Sequence, residues 1–333
     1  MNGGSTRGGL VFALLLLAQT PLVAQIDGRK RVLPLGPNRP AGEAVAPFFD
    51  VWYTNPDGTN TLSFGYYNFN TEETLEIPLG PNNRIEPAEF DGMQPTYFPG
   101  PGAGGMSMAP RNAGYERHER GVFTLTVPPD FANGRRAIIW TLTAHGETHK
   151  VEARVGPSRV AMELDYGPRA LGSVPPLLSF QEGGSTGQHP TGITLDGTLK
   201  TSVGEPLALT VWVSDPSERD PEIVGPLLRV IPIGIKWFKH QGPVGSEVTF
   251  ARVGEPWSDP AEKSNADEKE YEMPRFQHLV APSGGQATTR ATFSEPGDYV
   301  VRVRADNFQG SWDSTAADQC CWTNGYLKVL VTQ

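Results

Sequence analysis

Along this chain, apolar side chains recur with a period of two rather than 3.6. In Gly121–Pro128, Val122, Thr124 and Thr126 alternate with Phe123, Leu125 and Val127, the pattern of a half-buried β-strand. Two aromatic-rich runs, Pro47–Thr54 and Thr61–Asn70, flank Asn55-Pro-Asp-Gly58, which predicts a hairpin. Further strands are expected at Glu73–Pro78, Arg136–Ala144 and Thr148–Val155, with Gly146-Glu147 turning the chain between the last two. The same signature returns at Gly204–Pro216, Ile235–Lys239, Thr292–Asp306 and Gly325–Thr332. No window sustains a helical period. The expected fold is all-β: two antiparallel immunoglobulin-like β-sandwich domains after a signal peptide.

Composition supports this. The 333 residues include 38 Gly and 31 Pro, which suits short strands and tight turns, and the length accommodates two cores. A formal charge of −9 without a basic stripe argues against nucleic acid as a partner. Arg7, the apolar run Leu10–Ala18 and small residues up to Ala24 make the three regions of a secretory signal, with cleavage expected after Ala24. The apolar run is shorter than the roughly 20 residues of a spanning helix, so no membrane-spanning segment is expected after cleavage. The expected destination is periplasmic or extracellular.

These signals divide the chain into a signal peptide (1–24), a flexible leader (25–44), an N-terminal sandwich (45–166), a Pro/Gly-rich linker (167–194) and a C-terminal sandwich (195–333). Two insertions interrupt the sandwiches. Pro99–Pro110 has too many Gly and Pro for regular structure, and Val253–Gly285 reads as a charged, solvated excursion.

In the second half, Gly204, Asp215-Pro216, Trp237, Gly242-Pro243, Pro296-Gly-Asp-Tyr299 and Asp306 occur in an order that resembles PKD-type (polycystic-kidney-disease-type) and cadherin-like immunoglobulin-fold repeats. The resemblance covers about residues 195–333. It implies that Trp237 is core and that the Tyr299 hydroxyl pins a corner. In the first half, Asp57-Gly58, Phe64-Gly-Tyr66, Ile77–Asn83, Gln94-Pro-Thr96 and Val127-Pro128 resemble uncharacterised exported proteins of Gram-negative bacteria, which implies the compartment and no activity.

Candidate chemistry concentrates at one end of the second sandwich. There the loops after Ser214 and after Asp306 are expected to project together, gathering Asp215, Asp220, Glu222, Asp306 and Asp313 as candidate calcium ligands, with Glu218 and Asp318 nearby. The alternative is that these carboxylates fix exposed turns. Cys320 and Cys321, the only cysteines, adjoin this cluster. They admit three readings: a vicinal disulfide stiffening a loop, a bridge to another chain, or buried thiols. Adjacent Cα atoms lie about 3.8 Å apart, below the roughly 4.4 Å lower limit of ordinary disulfides, so a vicinal bridge is a strained ring. His145 and His149 flank a turn without a third metal ligand, and Trp52, Tyr53, Tyr66, Tyr67 and Phe69 offer either core or a carbohydrate-stacking face. No Gly-x-Ser-x-Gly elbow or phosphate loop is present. The function expected is that of an exported non-catalytic protein in adhesion, envelope organisation or ligand binding, its partner another envelope protein or a glycan. The alternative is a glycan-acting enzyme or accessory factor using the loop carboxylates.

Overall fold

The computed structural model describes residues 39–100, 118–133, 135–156, 172–219, 232–255, 277–307 and 321–333. The expected signal peptide and most of the leader therefore lie outside the described residues, as do most of both insertions. From Pro37 onward the chain forms one compact unit.

In the first half, β1 (Val45–Thr54), β2 (Asn60–Asn68) and β6 (His118–Val127) make one sheet in the order β1-β2-β6. Facing it are β4 (Asn83–Glu86), β7 (Ile138–Ala144) and β8 (Glu147–Ala153), in the order β4-β7-β8, and a ribbon of β3 (Leu75–Glu76) and β5 (Tyr97–Phe98) lies beside them. The alternation read from the sequence explains the core. Phe64 and Phe123 stack from neighbouring strands with centroids 5.1 Å apart, and both meet Trp140 of the opposite sheet edge-on. Burying such rings is the main driving force for closing a small sandwich.

The second half holds β9 (Leu177–Ser179), β10 (Ile193–Ser202), β11 (Leu207–Ser214), β12 (Ile233–Gln241), β13 (Val248–Val253), β14 (His278–Val280), β15 (Gly285–Phe293), β16 (Gly297–Asp306) and β17 (Trp322–Thr332). They form a five-stranded sheet, β10-β17-β16-β12-β14, against a four-stranded one, β13-β15-β11-β9. This non-sequential order, with long crossovers between two face-packed sheets, is the immunoglobulin-like arrangement. Trp237 is core, and the Tyr299 hydroxyl donates to the Glu295 carbonyl at 2.7 Å, as the corner role requires.

Several boundaries differ from expectation, each for a local reason. The His145-Gly146 pair, with φ of 49° and 79°, occupies the centre of the β7–β8 turn, one residue earlier than expected. Positive φ at both positions is the type I′ geometry that matches strand twist. The run Thr292–Asp306 is two strands, because a turn at Ser294–Pro296 separates β15 from β16. β10 was not anticipated. It pairs with β17 in parallel, an exception to the otherwise antiparallel strand pairing, and its register shifts between Thr194 and Thr198. The expected linker contains β9, which pairs with β11, so the described part of that segment belongs to the second sandwich. The end of the expected leader is likewise tied down, since Asn70 Oδ1 accepts from the Glu43 amide at 2.7 Å.

Candidate interdomain site

The period-two pattern gives each strand of β16 and β17 an inner and an outer face. Tyr299, Val301, Val303 and Ala305 point into the second core, which places Arg302, Arg304 and Asp306 on the other side of the sheet. On β17 that other side carries Trp322, Asn324 and Tyr326. All six are buried, because this polar and aromatic face is covered by the first sandwich. Tyr326 packs into the first core, and its hydroxyl donates to the Val122 carbonyl at 2.8 Å.

The seam is dense in hydrogen bonds. Asn324 Nδ2 donates to the Gly121 carbonyl at 2.6 Å, and Arg302 Nη1 donates to the Val122 carbonyl at 3.3 Å. His189, just before β10, meets the Tyr53 hydroxyl at 2.6 Å and tilts against Trp322 at 4.9 Å between centroids. Burial drives its pKa down to about 3, with Arg304 adding to the effect, so the ring is neutral. His240 is likewise held at about 3 by burial. Its Nε2 lies 2.8 Å from the Met93 carbonyl; a carbonyl only accepts, so that nitrogen carries the proton. Beside it, Thr96 N donates to the His240 carbonyl at 2.9 Å and Gln241 Nε2 donates to the Gly92 and Gln94 carbonyls at 2.8 and 2.7 Å.

Charge pairs complete the junction. Lys239 Nζ, buried on β12, donates to Glu76 Oε1 of β3 at 2.6 Å and to the carbonyls of Ser246 and Pro243 at 2.7 and 3.2 Å. Arg302 stacks over Phe238 at 4.1 Å and faces Glu119 at 3.9 Å. Burial lowers the Arg302 pKa despite the Glu119 charge, so the guanidinium is incompletely compensated. Arg304 lies 4.8 Å over the Trp322 ring and pairs with Asp306 at 3.1 Å. Gly121, with φ of 57°, is where the backbone of the first sandwich meets the Trp322 ring: a Cβ there would overlap it.

At one edge of the seam is a cavity of about 420 Å³ lined by Tyr66, Tyr97, Val122, Phe238, Lys239 and Arg302 among others. Its size suits a small molecule. Three of its polar lining residues, Lys239, Arg302 and His240, already have protein partners.

The sequence-predicted candidates fall elsewhere. Asp215 Oδ2 pairs with Arg219 at 2.9 Å, while its Oδ1 accepts from Asn307 Nδ2 at 2.7 Å and from Ser217 N at 3.0 Å. The Asn307 amide in turn donates to the Cys321 carbonyl at 3.3 Å, so the roots of the two loops do meet. Asp215 and Asp306 are each buried with an arginine counter-ion. Among the described residues no group of three or more His, Cys, Asp or Glu is placed to hold a metal ion. Asp220, Glu222, Asp313 and Cys320 lie outside the described residues. Cys321 is buried, with its sulfur 3.5 Å from the Ser173 carbonyl. His145 pairs with Glu73 at 3.1 Å rather than with His149, whose ring lies 3.6 Å from Glu147. Tyr53 and Tyr66 are buried, so the expected aromatic group does not form one open stacking face.

The seam itself was missed by sequence reasoning. The one signal for it was the placing of Trp322 and Tyr326 on the polar face of β17, beside Arg302 and Arg304 of β16. Large rings on a nominally solvent-facing side call for a covering layer.

No family model matches the chain, and no curated protein matches it. Among solved structures, a chimeric titin Z1Z2 carrying an exogenous peptide from decorin is similar at 11% identity and TM-score 0.21, over 87% of this chain and 98% of that one. Domains 4 and 5 of the S-layer protein SbsC are similar at 11% identity and TM-score 0.20, over 87% and 98%. The C-terminal domain of the antigen I/II-family protein AspA of Streptococcus pyogenes is similar at 10% identity and TM-score 0.19, over 86% and 100%. The immunoglobulin-like assignment of this chain accordingly rests on its own strand order and core.

Proposed function

We propose that this is an exported, non-catalytic structural protein in which two sandwiches act as one stiff unit, serving adhesion or envelope organisation. The observation that carries the reading is the seam: one end of a sheet face, with Arg302, Arg304, Asp306, Asn324 and Tyr326, is buried against the first sandwich. Tandem domains that merely follow one another keep a small, wet contact and move independently. Here the junction holds ion pairs, hydrogen bonds and the buried rings of Tyr53, Trp322 and Tyr326.

The same burial speaks for a non-catalytic role. Catalytic sites present perturbed acids and bases to a substrate. Among the described residues the strongly perturbed acids and bases His189, His240 and Asp50 are buried and bonded to the protein itself, to the Tyr53 hydroxyl, the Met93 carbonyl and the Gly121 amide. Small-angle X-ray scattering of the purified protein tests the stiffness directly. The expected profile is that of one fixed arrangement at all salt concentrations. A profile that requires an ensemble of interdomain angles would remove the reading.

A further inference from the structure

The first sandwich presents to the seam a carboxylate that its surroundings solvate incompletely. Asp50 occupies the bulge where the β1–β2 register shifts between Phe49 and Val51, and its side chain is buried. Oδ2 accepts from the Gly121 amide at 2.9 Å and lies 3.5 Å from the Ser63 hydroxyl. Oδ1 accepts no hydrogen bond, and Arg120 Nε stands 3.8 Å from it. An ionised carboxylate ordinarily collects several donors, so this environment favours the neutral acid. The charged groups acting on it are Arg120 from β6 and Arg304 across the seam from β16, the latter paired with Asp306. A neutral titratable ring, His189, lies against the same Trp322 that covers Gly121.

The Asp50 contact is also mechanically placed. The carboxylate holds the amide of Gly121, the residue that lies flat under Trp322 and whose carbonyl receives Asn324. We propose that Asp50 is a proton-operated latch: closing the seam around it takes up one proton, and loss of that proton to solvent loosens the Gly121–Trp322 contact. The idea uses the same seam as the stiff-tandem reading and adds a control to it.

Burial raises the Asp50 pKa from 3.8 to about 7, whereas the opened seam returns it to water. Opening is then favoured about tenfold per pH unit between about 4 and 7, and levels off above. His189 works in the opposite sense, because opening lets a ring held at about 3 bind a proton below 6.5. The two slopes cancel between about pH 4 and 6.5, and His240, which opening frees from the Met93 carbonyl across the same seam, adds a further slope in the His189 sense, so acid hides the latch in the intact protein.

The test compares the protein with Asp50→Asn, which keeps an acceptor for Gly121 but does not ionise. Amide exchange at Gly121 and Asn324, corrected for intrinsic rates, gives the opening constant from pH 5 to 8. The wild-type to variant ratio is expected to rise about tenfold per unit up to pH 7 and then flatten. A constant ratio with protected amides overturns the latch alone, and amides unprotected at every pH overturn both the latch and the stiff tandem. Should the variant not fold, the Asp50 carboxyl carbon shift in wild type decides: a midpoint near 7 is expected, and an ordinary carboxylate midpoint overturns the proposal.

Discussion

The Tyr53 hydroxyl of the first sandwich and the His189 imidazole of the second meet at 2.6 Å in a fully buried site. Their rings are perpendicular, 4.8 Å between centroids, so one contact supplies both packing and a polar bond. Tyr53→Phe keeps the packing and removes the bond. It leaves an imidazole nitrogen unpaired, for an expected loss of about 1–3 kcal/mol in urea unfolding.

The buried histidines and Asp50 set a pH dependence with a definite sign; burial lowers the His278 pKa too, in the same sense as His189 and His240. His189 and His240 have depressed folded-state pKa values of about 3, so their contribution is present above 6.5 and is lost as the pH falls toward 3. Asp50, raised to about 7, contributes oppositely, its stabilisation being present below 3.8 and lost as the pH rises to 7. Between 6.5 and about 4 the unfolded chain binds two protons at the histidines where the folded chain binds one at Asp50. These groups together then cost about 1.4 kcal/mol of stability per pH unit on acidification. Urea midpoints at pH 6.5, 5.5 and 4.5 measure the slope, and His240→Gln should reduce it by about 1.4 kcal/mol per pH unit.

Gly121→Ala should be severe. It combines an alanine at a φ of 57° with a methyl group inside the Trp322 ring, and about 3 kcal/mol or more is expected. Gly146→Ala is the control for backbone strain alone, since its φ is 79° but no atom lies within 4 Å of the added carbon. That change should cost about 1 kcal/mol. Chemical denaturation of both variants separates the steric part from the conformational part.

Glu76→Gln should expose the cost of an uncompensated buried cation. Lys239 keeps only neutral acceptors in that variant, the new amide oxygen and the carbonyls of Pro243 and Ser246, and about 3–5 kcal/mol is expected to be lost. Adding Lys239→Met should recover most of it, because an apolar chain of similar length needs no counter-ion. A double-mutant cycle in thermal unfolding reads the coupling.

Much of each sandwich was legible because its signals are local. The Asn55–Gly58 turn, the alternation of Phe123, Leu125 and Val127, and the Tyr299 corner each need only a few consecutive residues. β10 was hidden because the run Thr194-Leu-Asp-Gly-Thr198 interrupts its alternation, and its partner β17 is more than a hundred residues away in the chain. The seam was hidden for a deeper reason. A period of two tells which side chains leave the core of their own sandwich, but not whether a second layer covers them. Arg302 and Arg304 look like solvent-facing cations by pattern, and only Trp322 and Tyr326 beside them hinted otherwise. The ion pairs of Asp215 with Arg219 and of Asp306 with Arg304 were hidden for the same reason.

Differential scanning calorimetry of the purified protein at pH 7 measures most directly whether the seam welds the sandwiches into one unit. A single transition, with a calorimetric enthalpy equal to the van't Hoff enthalpy for both sandwiches together, is the predicted result. Two resolved transitions, each with the enthalpy of one sandwich, would contradict it.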